Sequence, residues 1–161
     1  MTVELNEVPS VKPIGFLDDL TVGGEIHLGS FGFTEDEILS FAERYDPMPF
    51  HVDAEAARTS IFGGLIASGI HTLAAVHALS IRSGFLTGTT VIVGAGIDEL
   101  RFRRPVRAND KLSVTARILE LTRSPKHNDR GVARISYTAT NQRGEVALSF
   151  IDNHVLQAKP Q

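Results

Sequence analysis

An aspartate and a histidine lie close together in the stretch "RYDPMPFHVD", which covers residues 44–53. Pro47 and Pro49 each fix one backbone φ angle, so the stretch is predicted to be a stiff loop, neither helix nor regular strand. A carboxylate can accept a proton, and an imidazole can accept or donate one near neutral pH. If a turn brings their side chains together, Asp46 and His51 could act on one water molecule.

A glycine stands at the predicted start of the next long helix. The first backbone N–H groups of a helix are unpaired and carry partial positive charge, and a glycine lets a ligand approach them closely. The N–H of Gly69 could therefore stabilise negative charge on a carbonyl oxygen, as an oxyanion hole does. Ser68, the preceding residue, is predicted to cap this helix.

Local signals predict the helices that flank the Asp–His stretch. Thr34 and Glu37 have the spacing of a capping box, so a helix is predicted to begin there and to end at Asp46, which precedes a proline. Asp53 is predicted to cap a short helix over residues 54–59.

The rest of the chain predicts one buried helix followed by strands. Residues 70–83 carry apolar side chains at helical spacing, and most other positions there are apolar or small, which is typical of a buried helix. Alternating or β-branched-rich segments predict strands at 24–34, 89–106, 111–124, 131–142 and 145–157. We therefore expect one α+β domain over residues 1–161: an antiparallel sheet of about five strands wrapped around one helix, after an irregular lead-in at 1–20.

Composition excludes several classes of function. The net charge of −3, from 16 basic and 19 acidic residues, argues against nucleic-acid binding. The absence of cysteine excludes disulfides, thiol catalysis and cysteine-ligated metals. Neither a secretory leader nor an apolar run long enough to cross a membrane is visible, so we expect a cytoplasmic protein.

Residues 45–75 resemble the active-site segment of the MaoC-like dehydratases, the (R)-specific enoyl-CoA hydratases of the hot-dog fold. The weaker resemblance outside this segment extends over roughly residues 20–155. In that family an Asp-x-Asn-Pro-hydrophobic-His motif is followed, 18 residues after the histidine, by a glycine. The matching positions here are Asp46, Pro49, Phe50, His51 and Gly69. Met48 replaces the family asparagine, which leaves the substrate class open.

The resemblance implies a reaction and a set of site residues. Asp46 and His51 would be catalytic, and the oxyanion and substrate-binding residues would be Gly69, Ser68, Ala67 and Met48. The reaction would be reversible hydration of a 2-enoyl thioester to an (R)-3-hydroxyacyl thioester, with coenzyme A favoured over acyl carrier protein. The resemblance also implies a homodimer or a trimer of dimers. It implies no metal, and no cofactor beyond the coenzyme A of the substrate.

Two other functions remain open at this point. A hot-dog thioesterase would need a carboxylate on the long helix or on the opposing strand, and residues 70–83 contain no Asp or Glu. A non-catalytic module that binds acyl thioesters would not require both Asp46 and His51.

Other conspicuous residues have structural interpretations that we favour. For His71 and His77, a core histidine with satisfied hydrogen bonds is favoured over a residue that lines a pocket. No histidine spacing indicates a metal site. The sequence "GAG" at 94–96 is predicted to mark a strand bulge or a close approach of the backbone, since it lacks the rest of a dinucleotide-binding motif. A solvated strand face is favoured over phosphate binding for the arginines of "RFRRP", which are Arg101, Arg103 and Arg104.

Overall fold

The computed structural model describes residues 5–86 and 90–160. The strands are β1 (Leu5–Glu7), β2 (Glu25–Phe31), β3 (Val91–Phe102), β4 (Leu112–Arg123), β5 (Arg130–Thr140) and β6 (Val146–Gln157). The helices are α1 (Glu35–Tyr45), α2 (Pro49–Val52), α3 (Ala54–Thr59) and α4 (Gly69–Arg82), with a 3₁₀ turn at Leu17–Asp19. This chain order confirms the predicted α+β plan.

The strands form one antiparallel sheet in the order β1-β2-β4-β5-β6-β3. Five of them are the predicted strands. The sixth, β1, corrects the expectation of an irregular lead-in, because residues 5–7 pair with β2. A strand of three residues leaves too little periodicity to be recognised in the sequence.

The core lies between α4 and the sheet. Alternate residues of β5 are buried, among them Ile135 and Tyr137, and they share one core cluster with Val76 and Leu79 of α4. Alternation at period two places one face of a strand in the core, which is why the sequence pattern located these strands. The fold is the hot-dog fold, a curved antiparallel sheet packed around a central helix.

Local capping signals were reliable guides to the helix ends. Thr34 and Glu37 form the predicted capping box, and Asp53 accepts two backbone N–H bonds at the start of α3. The expectation that residues 44–53 contain no helix was wrong. Pro49 occupies the first position of α2, where its missing N–H costs nothing and its fixed φ favours a helical turn.

The two helix histidines differ from the prediction in different ways. His71 is buried as predicted, stacked between Phe33 and Phe41 at ring-centroid distances of 4.0 and 4.3 Å. Neither of its ring nitrogens has a hydrogen-bond partner in the described part of the chain, so the expectation of satisfied bonds was wrong. His77 is exposed, because α4 buries only one face against the sheet.

Strand β3 lies at an open edge of the sheet and is exposed along most of its length. Its pairing with β6 shifts register between Gly94 and Gly96, which confirms the predicted bulge. Within residues 5–86 and 90–160, no helix combines the length and apolarity needed to cross a membrane.

Candidate active site

The turn that follows α1 brings Asp46 and His51 together. The backbone of Asp46 leaves the helical conformation, with φ −155° and ψ 68°. Met48 then caps α2, and its carbonyl accepts the N–H of His51 at 2.8 Å. As a result, Oδ2 of Asp46 lies 3.6 Å from Nε2 of His51. The pairing predicted from sequence is therefore present in the fold.

A backbone carbonyl fixes the tautomer of His51. Nδ1 of this buried ring lies 2.7 Å from the carbonyl oxygen of Ile66. Because a carbonyl oxygen only accepts hydrogen bonds, Nδ1 carries the hydrogen in the neutral ring. Nε2 is then an acceptor that faces the carboxylate of Asp46. Two acceptors at 3.6 Å do not bond to each other, but both can accept hydrogens from one water between them.

Ser68 orients the carboxylate of Asp46. The hydroxyl of Ser68 donates to Oδ2 of Asp46 at 2.7 Å. The Oγ atom of Ser68 also accepts the N–H of Ile70 at 3.1 Å. The predicted role of Ser68 as helix cap is confirmed. Its bond to Asp46 was missed, because these residues are 22 positions apart and only the folded chain joins them.

Gly69 lies at the first position of α4 beside a cavity of about 320 Å³, and His51 and Ala67 also line this cavity. No described residue accepts the N–H of Gly69. A Cβ atom at this position would lie 2.6 Å from the ring of Phe102, well inside contact distance. A side chain at position 69 would therefore have to displace the ring of Phe102, and Gly69, with its unpaired N–H, lies in the wall of a cavity that a ligand can enter.

Of the two remaining predicted binding residues, one lies at the cavity and the other does not. Ala67 is buried at the cavity wall, and its N–H donates to the carbonyl of Val106 at 2.8 Å. Met48 is 47% exposed and does not line the cavity. The structure therefore brings Ala67, Ser68 and Gly69 to the site and leaves the side chain of Met48 at the surface.

Two of the three conspicuous arginines line the same cavity. Arg103 donates to the hydroxyl of Ser149 at 3.0 Å, and Arg104 lies 3.7 Å from Glu145. Arg101 instead donates to the carbonyl of Leu100, beside it in the chain. All three are exposed, as a solvated face requires, but Arg103 and Arg104 also place positive charge at the cavity rim.

Arg107 supports the site from outside and was missed by sequence analysis. Its guanidinium donates to the carbonyl of Phe62 and lies 3.5 Å from that of Leu65. It thereby holds the loop that ends at Ile66, whose carbonyl fixes His51. Among the described residues, no group of three His, Asp or Glu side chains is arranged to hold a metal ion.

Comparisons with known proteins identify relatives of this chain. The family model described as "MaoC like domain" matches residues 19–141. The structure of a MaoC-like dehydratase from Rhodospirillum rubrum is 38% identical, with a TM-score of 0.81, over 91% of this chain and 99% of that one. The (R)-hydratase PhaJ1 from Pseudomonas aeruginosa is 26% identical, with a TM-score of 0.66, over 89% and 86% of the two chains.

A sequence relative supports the same family assignment. The uncharacterized protein YdeM of Bacillus subtilis (strain 168) is 35% identical over 127 residues, which cover 79% of this chain and 88% of that protein. The family model itself spans the helix α1, the Asp–His turn, α4 and most of the sheet. The chain belongs to the MaoC-like dehydratase family.

Proposed function

We propose that this protein catalyses the reversible hydration of a 2-enoyl thioester to an (R)-3-hydroxyacyl thioester. The observation that carries the proposal is the pair of acceptors, Asp46 Oδ2 and His51 Nε2, which lie 3.6 Å apart, with His51 and Gly69 in the wall of one cavity. Membership of a dehydratase family and similarity to an (R)-hydratase support a hydro-lyase.

The two acceptors would hold and activate one water. Each accepts one of its hydrogens, so its oxygen lone pairs are directed toward C3 of the substrate. Asp46 is the principal base, because a carboxylate can accept a proton from the water. As the water oxygen bonds to C3, the π electrons of the C2–C3 double bond shift toward the thioester carbonyl. The N–H of Gly69 stabilises the negative charge that develops on that oxygen.

The proton that reaches C2 must come from the same water. The single N–H of the neutral His51 ring donates its hydrogen bond to the carbonyl of Ile66. His51 therefore has no proton to give until the Asp46–His51 pair has taken one from the water. The pair then returns that proton to C2, which restores the carbonyl. The reaction needs no cofactor, because the thioester itself acidifies its α-carbon.

Positive charge at the cavity rim supports coenzyme A as the carrier. Arg103 and Arg104 are exposed beside the cavity. Arginine binds phosphate oxygens through paired N–H groups and remains charged at all working pH values. The phosphates of coenzyme A would lie at this rim while the enoyl group lies between His51 and Gly69.

The exposed edge of the sheet supports a homodimer. Strand β3 offers unpaired backbone groups at one edge, and Val93, Ile97 and the neighbouring Ile70 of α4 are exposed. An open edge strand beside apolar side chains is a template for a second chain. Sedimentation equilibrium should therefore give a multiple of 17.5 kDa, either a dimer or a trimer of dimers.

The thioesterase alternative finds a carboxylate on the opposing strand, but in the wrong place. Asp152 of β6 faces α4 near His77, eight positions beyond Gly69 along the helix. At 1.5 Å per residue, His77 lies about 12 Å along α4 from Gly69. A carboxylate beside His77 is therefore not placed to attack a carbonyl held at Gly69. The non-catalytic alternative gives no role to the ordered Asp46–His51 pair.

Hydration of crotonyl-CoA, followed by the loss of enoyl absorbance, tests the proposal. We expect activity in the wild type and a loss of roughly 100-fold or more in Asp46→Asn and in His51→Ala. Asp53→Asn and His127→Ala are matched controls, since asparagine also caps helices and His127 is exposed. Full activity in both site variants, or release of free thiol in place of hydration, would refute the assignment.

A further inference from the structure

The carbonyl that binds His51 belongs to a loop that few hydrogen bonds hold in place. Among the described residues, only Arg107 forms hydrogen bonds that join residues 61–65 to another part of the fold. Its guanidinium donates to the carbonyl of Phe62 and lies 3.5 Å from that of Leu65. These two carbonyls lie on either side of a pair of glycines, so one side chain spans the part of the loop that has no side chains of its own.

Arg107 is itself fixed by the turn that precedes β4. Its backbone N–H donates to Oδ2 of Asp110 at 2.9 Å, and Asp110 is buried. The other oxygen of this carboxylate accepts a hydrogen bond from Gln142 at 2.7 Å. The planar guanidinium presents several N–H donors in a fixed fork, so one arginine can hold two carbonyls at once. The turn and the fork together make Arg107 a rigid support for the loop.

The peptide group that contains the Ile66 carbonyl has one further support. Its N–H, which belongs to Ala67, donates to the carbonyl of Val106 at 2.8 Å. A single hydrogen bond leaves a peptide group free to rotate about that bond. The contact of Arg107 with Leu65, one residue before Ile66, restricts this rotation. Removal of Arg107 would therefore allow the carbonyl to turn away from His51.

Two acceptors compete for the one hydrogen of the neutral His51 ring. The carbonyl of Ile66 lies 2.7 Å from Nδ1, and the carboxylate of Asp46 lies 3.6 Å from Nε2. Hydrogen bonds to charged acceptors are the stronger kind, so the carboxylate alone would favour a hydrogen on Nε2. With its hydrogen there, Nε2 would no longer accept a hydrogen bond from water. The pair could then not hold the water in the proposed way.

The fixed carbonyl of Ile66 opposes this second tautomer. If Nδ1 lost its hydrogen, its lone pair would face a carbonyl oxygen at 2.7 Å in a buried position. Two buried acceptors in contact leave both groups without a donor, which is unfavourable. This opposition lasts only while the carbonyl cannot move away from the ring.

We propose that Arg107 is a positioning residue of the active site, which keeps the hydrogen of His51 on Nδ1 by holding the carbonyl of Ile66 in place. Its effect on catalysis rests on the hydratase function proposed above, whereas the tautomer is a property of the protein alone. Loss of Arg107 would let the hydrogen move to Nε2 and would disable the Asp46–His51 pair without removing either side chain.

The tautomer can be measured without substrate, by ¹⁵N–¹H NMR at alkaline pH, where imidazole side chains are neutral. The signals of His51 are identified by their loss in His51→Ala. We expect the hydrogen on Nδ1 in the wild type and mostly on Nε2 in Arg107→Met, which keeps an unbranched side chain without the donors. Arg58→Met is the matched control, because Arg58 is exposed on α3 and pairs with Glu55.

The kinetic consequence is measured with crotonyl-CoA. In Arg107→Met, kcat should fall roughly 10- to 100-fold while KM changes little, because Arg107 does not line the cavity. Arg107→Lys keeps the charge, but its single ammonium matches the two carbonyls less well than the fork does. Both kcat and the tautomer of Arg107→Lys should therefore lie between those of the wild type and Arg107→Met.

The two measurements separate this inference from the proposed function. An unchanged tautomer of His51 in folded Arg107→Met and Arg107→Lys, or a hydrogen on Nε2 in the wild type, would overturn the positioning role. A higher KM with full kcat would also contradict it. If the tautomer changes as expected but the wild type hydrates no enoyl thioester, the positioning role stands and the hydratase function fails.

Discussion

Replacing Ser68 separates the two functions of its hydroxyl. In the structure this group caps α4 and donates to Oδ2 of Asp46 at 2.7 Å. Loss of a serine cap to alanine costs about 1 kcal/mol of unfolding free energy, whereas glycine costs only a few tenths. Ser68→Ala should therefore be less stable than Ser68→Gly in urea unfolding.

The effect of Ser68→Ala and Ser68→Gly on kcat should differ from their effect on stability. Both replacements remove the donor that orients Asp46, and a hydrogen bond to a charged group contributes about 1.5 to 3 kcal/mol. Because the side chain of Asp46 is 32% exposed, water replaces part of this bond, and about 1 to 2 kcal/mol remains. We expect kcat for crotonyl-CoA to fall roughly 5- to 30-fold in both variants.

The comparison of the two variants shows whether the hydrogen bond from Ser68 to Asp46 contributes to catalysis. Equal losses of kcat with unequal losses of stability would assign the activity to the bond between Ser68 and Asp46. If kcat instead followed stability, with Ser68→Gly almost as active as the wild type, the hydroxyl would matter only as a helix cap. The proposed orientation of Asp46 would then be wrong.

Other parts of the structure give three further expectations. Burial lowers the pKa of His71 to about 4, against a weaker opposing effect of Glu37, so the unfolded chain binds this proton first as pH falls. Stability should decline from about pH 6.5 to about pH 4 by up to about 3 kcal/mol, and urea unfolding of His71→Phe should show less of this decline. Gly69→Ala should reduce activity by displacing the ring of Phe102, and the added replacement Phe102→Ala should restore part of it; no restoration would mean that the clash is not the cause. Arg103→Ala with Arg104→Ala should raise KM for crotonyl-CoA more at low salt than at high salt, and a KM change that ignores salt would exclude a phosphate contact.

Local rules located most of the scaffold in advance. Caps at Thr34, Asp53 and Ser68 depend on side chains within three residues of the helix start, so the sequence contains the whole signal. Strands β4 and β5 alternate because one face meets α4 and the other does not. The Asp46–His51 pair was found from its spacing and from family resemblance, and the turn that unites it could only be assumed.

What the sequence could not supply are contacts between distant segments. The sequence could not indicate that the carbonyl of Ile66 accepts the hydrogen bond of His51, because every residue has a backbone carbonyl. Phe102 meets Gly69, and Arg107 meets the carbonyls of Phe62 and Leu65, across more than 30 positions of the chain. His77 was misplaced because apolar spacing along α4 does not reveal which face meets the sheet.

A double-mutant comparison tests most directly whether Asp46 and His51 act as one unit on one water. kcat/KM for crotonyl-CoA should be measured for Asp46→Asn, for His51→Ala and for the variant that carries both replacements. If the two groups share one water, the first replacement already abolishes their joint action, and the double variant should be no slower than the slower single variant. Losses that multiply in the double variant would show that the two side chains act independently and would contradict the proposed mechanism.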